Sequence, residues 1–182
     1  GTGTVVDNDS DDDGVCDADE VAGCQDSSAC NYDETATDEG SCTYAEDNFD
    51  CDGIFKPEAT SSLTTAIDLW INDNESALTT YGEISSWDVS QITSMMSLFE
   101  GETTFNDDIS NWDVSNVTSM LWMFKGASSF NQDLTNWDVS SVTTMYQMFY
   151  DAESFNGDMS NWNVSNVTNM TGMFNNASNF NS

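Results

Sequence analysis

Six residues near the start of the chain have the spacing of a calcium-binding loop. In the twelve-residue calcium loop, ligands occupy positions 1, 3, 5, 7, 9 and 12, and a glycine at position 6 allows a sharp turn. Counted from Asp9, those positions hold five carboxylates and one main-chain carbonyl, and Gly14 stands at position 6. The alternative is a solvated acidic tail, because runs of like charge are commonly disordered. The predicted calcium ligands are Asp9, Asp11, Asp13, Val15 (through its carbonyl), Asp17 and Glu20.

A second group of oxygen-bearing side chains lies between two cysteines. Asn31, Asp33 and Asp38 follow Cys30 and precede Cys42. Carboxylate and amide oxygens are the ligands that Ca²⁺ prefers in proteins. We therefore predict that these three residues ligate a second calcium ion, the alternative being an ordinary polar turn.

All five cysteines lie within the first 51 residues, in a stretch that is poor in large apolar side chains. Such a segment buries too little surface to order itself, so cross-links must supply the difference. Disulfides are predicted rather than zinc, because the sequence has no CxxC pair and no His. An odd number leaves one thiol free or pairs it outside this fragment, and the sequence does not fix the pairing. The candidates are Cys16, Cys24, Cys30, Cys42 and Cys51.

The charge of the chain excludes several classes of function. The 182 residues include 33 acidic and 2 basic side chains and no His, which gives a formal net charge of −31. This charge repels nucleic acid and anionic lipid. Without His, acid–base catalysis loses its commonest residue, so we do not expect an enzyme. No apolar run is long enough to predict a membrane span or signal peptide, and the start at Gly1 suggests a processed chain.

Residues 55–80 change in character and predict two helices. An apolar stripe with the spacing i, i+3, i+4, i+7 and i+8 indicates a helix that covers a core. The stripe consists of Leu63, Ala66, Ile67, Trp70 and Ile71. Thr60 or Ser61 is the expected N-cap, and a second short helix is predicted to begin at Asp73 or Asn74.

Residues 81–180 contain four copies of one 25-residue unit, and a fifth copy begins at Asn181. We name the copies repeat 1 (81–105), repeat 2 (106–130), repeat 3 (131–155) and repeat 4 (156–180). Trp, Met and two Phe recur at fixed places, and such a period predicts a solenoid in which each coil buries its apolar side against its neighbours. In repeat 2, residues 108–114 have strand chemistry and residues 117–125 have helical spacing.

The predicted fold class is therefore α+β. It consists of a short solenoid of four 25-residue coils, each with a short parallel strand and a short helix or 3-10 segment. A helical cap and a small irregular domain, stabilised by calcium and disulfides, precede the coils. The predicted domains are 1–54, 55–80 and 81–182.

Two parts of the sequence resemble known families. The Asp-rich string DNDSDDDGVCDADE, which no entering helix precedes, resembles the thrombospondin type 3 calcium repeats. The strings NWDVSNVTSM and MFKGASSFN of repeat 2 resemble the 25-residue branch of the BspA-like leucine-rich-repeat proteins, and the likeness covers roughly residues 55–182. This second resemblance implies a leucine-rich-repeat-like solenoid with an adhesive, matrix or surface-layer role and no catalytic residues. Fold analogy alone names no ligand.

Together, these observations predict an extracellular or cell-surface structural protein, stabilised by calcium, in a surface layer, a matrix or a head-to-tail filament. The expected partners are further copies of the chain or extracellular proteins and glycans, without nucleic acid or membrane insertion. The alternative is a monomeric adhesin that binds glycan or protein through exposed Asn111, Asn136 and Asn161. Asn116 and Asn74 are candidate glycosylation sites because each begins an Asn-x-Ser/Thr sequon.

Overall fold

The computed structural model describes residues 19–181. Among these, residues 19–47 and 51–53 form one compact unit, which we name the cysteine segment. Residues 48–50 and 54–181 form the other, which we name the repeat body.

The cysteine segment is held together by two disulfides and very little regular structure. Strands β1 (Ala22–Gly23) and β2 (Asp38–Glu39) form a parallel pair, in which Ala22 lies opposite Asp38 and Gly23 opposite Glu39. The disulfides join Cys24 to Cys42 and Cys30 to Cys51, so the predicted cross-linking is confirmed for four of the five cysteines. The fifth, Cys16, lies outside the described residues.

The two predicted helices are present in the repeat body. Helix α1 (Thr60–Asn72) buries Leu63, Ala66, Ile67 and Trp70, which belong to the predicted stripe. Its N-cap is Ala59 rather than the predicted Thr60 or Ser61, and the Thr60 hydroxyl donates to the Ser94 carbonyl (3.0 Å). Helix α2 (Asn74–Tyr81) begins after Asp73, whose carboxylate accepts a hydrogen bond from the Ser76 N–H (3.2 Å) and caps the helix.

The predicted α+β solenoid, with a strand and a helix or 3-10 segment in every coil, is wrong. Within residues 19–181 the regular elements are β1, β2, α1, α2 and one 3-10 helix, Ile84–Ser86. The predicted strand at 108–114 and helix at 117–125 are replaced by turns and single bridges.

Hydrogen bonding explains why neither predicted element forms in repeat 2. The Asp108 and Asp113 carboxylates accept from main-chain N–H groups two residues further on (2.9 and 3.0 Å), and such turns compete with a strand. At 117–125, Trp122 has a φ of 59°, which a right-handed helix does not allow. Every second N–H group from Met120 to Phe124 donates to the next repeat, as Met120 does to Thr144 (3.0 Å) and Phe124 to Met148 (2.9 Å), so no continuous helical bonding forms.

Neighbouring repeats also share a buried aromatic core. Phe99, Phe124, Phe149 and Phe174 follow one another with ring centroids 5.4 to 5.6 Å apart. A second file joins the closing Phe of each repeat at 5.9 to 6.0 Å. Trp112, Trp137 and Trp162 each donate an indole N–H to a main-chain carbonyl 28 residues earlier (2.8 to 3.1 Å). Each repeat is therefore tied to its neighbour through both its core and its main chain.

Candidate functional site

The first predicted calcium loop lies almost entirely outside the described residues. Asp9, Asp11, Asp13, Val15 and Asp17 fall in residues 1–18, whereas Glu20 is described and is half-buried. All six would offer oxygen atoms, and this donor chemistry suits Ca²⁺. The loop therefore stays a prediction.

The three residues of the second predicted calcium site lie in the cysteine segment, where each is held differently. Asn31 uses both side-chain polar atoms within the segment, donating to the Ser41 carbonyl and accepting from the Thr43 N–H (2.8 Å each). Asp33 accepts from the Thr35 hydroxyl and N–H, and these bonds hold the pKa of Asp33 below its usual range. Within residues 19–181 no three His, Cys, Asp or Glu side chains form a group that could hold a metal ion.

Asp38 differs from the other two residues because one of its carboxylate oxygens is orphaned. Its Oδ1 atom is buried and has no hydrogen-bond partner among residues 19–181. A buried carboxylate oxygen without a partner is costly, and a bound cation would satisfy it. Asp38 is thus the residue of this group that best fits a metal ligand, and the second site also stays a prediction.

The carboxylate of a third acidic residue of the cysteine segment, Asp26, accepts hydrogen bonds that connect it to residues 28 and 44. Its carboxylate accepts from the Ser28 N–H (2.9 Å) and hydroxyl (2.7 Å) and from the Tyr44 hydroxyl (2.8 Å). The bonds from Ser28 lower the pKa of Asp26, and the bond to Asp26 raises the pKa of Tyr44.

Both basic side chains of the protein are used in ion pairs of the repeat body. Lys56 contacts Asp88 (2.7 Å), and Lys125 contacts Glu100 (2.9 Å). Partial burial opposes ionisation of Asp88, but the Lys56 ammonium and Ser90 outweigh it and lower the pKa of Asp88. Since the sequence has only these two basic residues, its other carboxylates have no lysine or arginine to neutralise them.

The recurring acidic side chains of the repeats form turns. Asp88, Asp113, Asp138 and Asn163 occupy one position of the unit, and each accepts from the N–H two residues further on (2.9 to 3.2 Å). Hydrogen bonds from Ser140 hold the pKa of Asp138 below its usual range. The same side chains are thereby fixed at the same place in successive repeats.

A polar cleft of about 380 Å³ lies between repeats 2 and 3. Asn111 and Asn136, two of the three asparagines proposed from the sequence as an adhesive face, both line it, together with Asp113 and Asp138. All four residues are exposed. The third asparagine, Asn161, is exposed in repeat 4 and is not among the residues that line the cleft. The cleft offers amide and carboxylate groups suited to a ligand rich in hydroxyl groups.

The two candidate glycosylation sites occupy different settings, and both are exposed. The Asn116 amide donates to the Ser90 carbonyl (2.9 Å), and Asn74 is the first residue of α2. Modification at either residue stays a prediction.

A group of residues that the sequence reasoning missed lies in repeats 2 and 3. We name Trp122, Lys125, Tyr146, Gln147 and Tyr150 the aromatic patch; all five are half-buried. The signal that could have found them is departure from the repeat, because repeats 1 and 4 have no aromatic residue at the corresponding positions.

No helix in the described part of the chain is long and apolar enough to cross a membrane. Comparison with known proteins gives one family: the model of "Mycoplasma protein of unknown function, DUF285" matches residues 66–182. No curated protein and no solved structure matches the chain. The family match begins within α1 and includes every repeat, so the chain belongs to the DUF285 family.

Proposed function

We propose that this protein is an extracellular structural or adhesive repeat protein, stabilised by calcium, that presents recurring polar side chains to a partner outside the cell. The observation that best supports the proposal is the regular spacing of these side chains. Equivalent Asp and Asn side chains are fixed by the same turn hydrogen bond in four successive repeats. A regular display allows several weak contacts to act together, which raises avidity without a strong single site.

The two disulfides support a location outside the cell. Disulfides such as Cys24–Cys42 and Cys30–Cys51 persist in oxidising environments and are rare in the cytosol. The likeness of the repeats to the BspA-like proteins supports the same location. We propose a non-enzymatic role for two reasons. The sequence lacks His. In addition, Asp side chains of the repeats accept the hydrogen bonds that hold turns.

The test of adhesion uses the cleft between repeats 2 and 3. The full chain, immobilised on a surface, is expected to retain extracellular glycans or proteins from an array. The double variant Asn111→Ala/Asn136→Ala should lose a large part of this binding, because both residues line the cleft. Asn161→Ala is the matched control, since it removes the equivalent exposed side chain in repeat 4. Equal binding by all three proteins would exclude the cleft, and no binding by any of them would exclude adhesion.

Calcium is proposed to order the start of the chain. Asp9, Asp11, Asp13, Asp17 and Glu20 would hold it through carboxylates and Val15 through its carbonyl, and a bound ion would supply the positive charge that this acidic stretch lacks. At a free calcium concentration of about 100 times Kd, binding stabilises the ordered form by about 2.7 kcal/mol. Calorimetric titration of the full chain should show calcium binding, and Asp11→Asn/Glu20→Gln should remove the part of it that belongs to the first loop. Asp68→Asn, an exposed change on α1, should not alter it. Unchanged titration of the double variant would contradict the first loop.

Self-association is a second candidate, favoured by apolar exposure in repeat 4. Val164 and Met170 are each 38% exposed, whereas their counterparts Val139 and Met145 in repeat 3 are buried. A following 25-residue repeat or a second copy of the chain packed on these side chains would cover them, and the second case is self-association. Sedimentation equilibrium with calcium present should then show mass increasing with concentration, and Val164→Thr should reduce the increase. A stable monomer at every concentration would exclude this candidate.

A further inference from the structure

Trp122 stands at a position where the backbone disfavours a bulky side chain. It and its counterparts Ser97, Gln147 and Gly172 have positive φ angles of 59°, 57°, 51° and 65°. A bulky residue in the left-handed region is an uncommon and costly choice, and such strain is concentrated at functional sites. Because Ser and Gly serve at this position in repeats 1 and 4, the turn does not require a tryptophan.

Neighbouring side chains of the aromatic patch hold the indole in place. The Trp122 N–H donates to the Gln147 side-chain oxygen at 3.0 Å. The Tyr146 ring lies 6.2 Å from the Trp122 ring and is tilted by 60°. The Lys125 ammonium lies 4.9 Å from the indole centroid, within the range of a cation–π contact. The patch therefore offers pre-organised aromatic surface beside polar groups.

The charge of the patch restricts the chemistry of its ligand. Lys125 is paired with Glu100 at 2.9 Å, so the only base near the indole is already neutralised. An added cation would compete with that ammonium for the same ring. An anionic ligand would be repelled by a chain with a net charge of −31. The electrostatics leave an uncharged ligand as the best fit.

We propose that the aromatic patch binds a neutral carbohydrate chain. The C–H faces of a sugar ring pack on aromatic side chains, and sugar hydroxyls exchange hydrogen bonds with amide and phenol groups. Trp122 and Tyr146 supply the rings, while the Gln147 amide and the Tyr150 hydroxyl supply the polar atoms. Rigid Trp and Tyr side chains give large contact area at low entropic cost. The proposal rests on the proposed adhesive function and names the class of its ligand at a surface separate from the Asn111–Asn136 cleft.

The test is titration of the full chain with neutral oligosaccharides, in which binding is measured by tryptophan fluorescence and by calorimetry. The probes are cellohexaose, laminarihexaose, mannohexaose and chitohexaose, with heparin and polylysine as charged probes. At least one neutral probe should bind, with Kd in the range of about 1 mM or below. Trp122→Ser, which installs the residue of repeat 1, should weaken that binding by about tenfold or more, a loss of about 1.4 kcal/mol.

Two further variants keep the result interpretable. Tyr146→Thr installs the residue of repeat 4 and should also weaken binding, whereas Gln91→Ser, which installs the residue of repeat 3, should leave it unchanged. Thermal unfolding of Trp122→Ser should show no large loss of stability, since Ser97 is accommodated at the same φ. This measurement separates loss of the ligand from loss of the fold.

Three outcomes would overturn the proposal. One is that no neutral probe binds. Another is that binding persists equally in Trp122→Ser and Tyr146→Thr. The third is that polylysine alone binds and loses its affinity in Trp122→Ser, which would assign the patch to a basic protein partner. If the array still shows adhesion that Asn111→Ala/Asn136→Ala abolishes, the proposed function stands without this site. If the array shows no adhesion by the full chain, the proposed function itself fails.

Discussion

The cysteine segment and the repeat body differ in how much apolar surface they bury. In the cysteine segment the buried apolar side chains are Cys24 and Ala29, the first of which is part of a disulfide. In the repeat body one continuous cluster of buried side chains extends from Phe55 to Met173. The first region therefore depends on covalent cross-links and side-chain hydrogen bonds, and the second depends on hydrophobic burial.

This difference shows how one acidic chain orders two regions with almost no basic residues. In the cysteine segment, Asp26 and Asp33 accept hydrogen bonds from local N–H and hydroxyl groups, so their charged carboxylates stabilise the loops that contain them. In the repeats, Asp108 and Asp133 do the same at turns while the aromatic side chains supply the core. Both regions use carboxylates as acceptors, but only the repeat body has a core that can order without cross-links.

The largest expected effect is loss of the cysteine segment on reduction. The disulfides span 18 and 21 residues, and bonds closing loops of this size contribute about 3 kcal/mol each. Treatment with a reductant should therefore unfold the segment and leave the repeats intact. Limited digestion by a protease specific for Glu should then cut rapidly at Glu34 and Glu39, with Glu102 and Glu153 protected. Unchanged cleavage at Glu34 and Glu39 would show that the segment does not depend on its disulfides.

Truncation of a core side chain should have the opposite effect, destabilising the repeat body rather than the cysteine segment. Phe124 is fully buried and lies against Phe99, Phe130 and Phe149 at 5.4, 4.0 and 5.4 Å. Phe124→Ala should lower the free energy of unfolding of the repeat body by about 3–5 kcal/mol, measured by denaturant titration of tryptophan fluorescence. The matched variant Phe180→Ala should cost less, because Phe180 is half-buried. Equal costs would mean that the ring files do not act as a core.

A smaller effect is expected from removing one indole hydrogen bond. Trp137 is buried and donates to the Ile109 carbonyl at 3.1 Å. Trp137→Phe keeps an aromatic ring but removes one of the two donors to that carbonyl, which also accepts from the Trp112 N–H (3.1 Å), at a cost of about 0.5–1.5 kcal/mol. Trp162→Phe removes the equivalent bond at a half-buried site, where water can replace it, so its cost should be lower. A reversed order in urea unfolding would contradict this explanation.

The smallest effect concerns pH. The pKa values of Asp108, Asp133 and Asp138 are lowered by hydrogen bonds from Ser110, Thr135 and Ser140. A group whose pKa is lower in the folded state stabilises the fold above its unfolded pKa of about 3.9 and loses that contribution as the pH falls through the folded pKa. The melting temperature should therefore decrease as the pH is lowered below about 4, because protonation of the carboxylates begins to remove these hydrogen bonds.

Asp138 offers a control that the repeats themselves provide. Repeat 4 has Asn163 at this position, and its amide oxygen accepts the same turn bond (3.2 Å). Asp138→Asn should keep the turn at neutral pH and reduce the dependence of melting temperature on acid. Asp138→Ala should lower the melting temperature at every pH. An identical acid profile for wild type and Asp138→Asn would mean that this carboxylate does not contribute.

Much of the core was readable from the sequence, but the conformation of each repeat was not. The stripe of Leu63, Ala66, Ile67 and Trp70 identified α1, because its spacing fits one helix face. In the repeats, Met120 and Phe124 also have helical spacing, yet their N–H groups bond to the next repeat. Spacing reports which side chains are buried together, and it does not distinguish a helix from turns that bury the same side chains.

The candidate sites show a related limit. The calcium loop predicted from Asp9 to Glu20 could be proposed from the sequence because its six predicted ligands are close together in the chain. The aromatic patch was missed because the shared residues define the repeat, whereas Trp122, Tyr146 and Tyr150 depart from it. The φ of Trp122 was equally unreadable, because tryptophan is not a residue that favours the left-handed region. The shared apolar residues of the repeats form the core, whereas the aromatic patch consists of residues that differ between the repeats.

The hydrogen bonds between successive repeats have a mechanical consequence. Thr118, Thr143 and Thr168 each donate both N–H and hydroxyl to the carbonyl of the threonine 25 residues earlier, at 2.8 to 3.1 Å. A pulling force applied along the chain would therefore detach repeats one after another rather than all at once. Each detachment would release one 25-residue length, about 85 Å of extended chain, so the protein would lengthen in steps and absorb work without breaking a covalent bond.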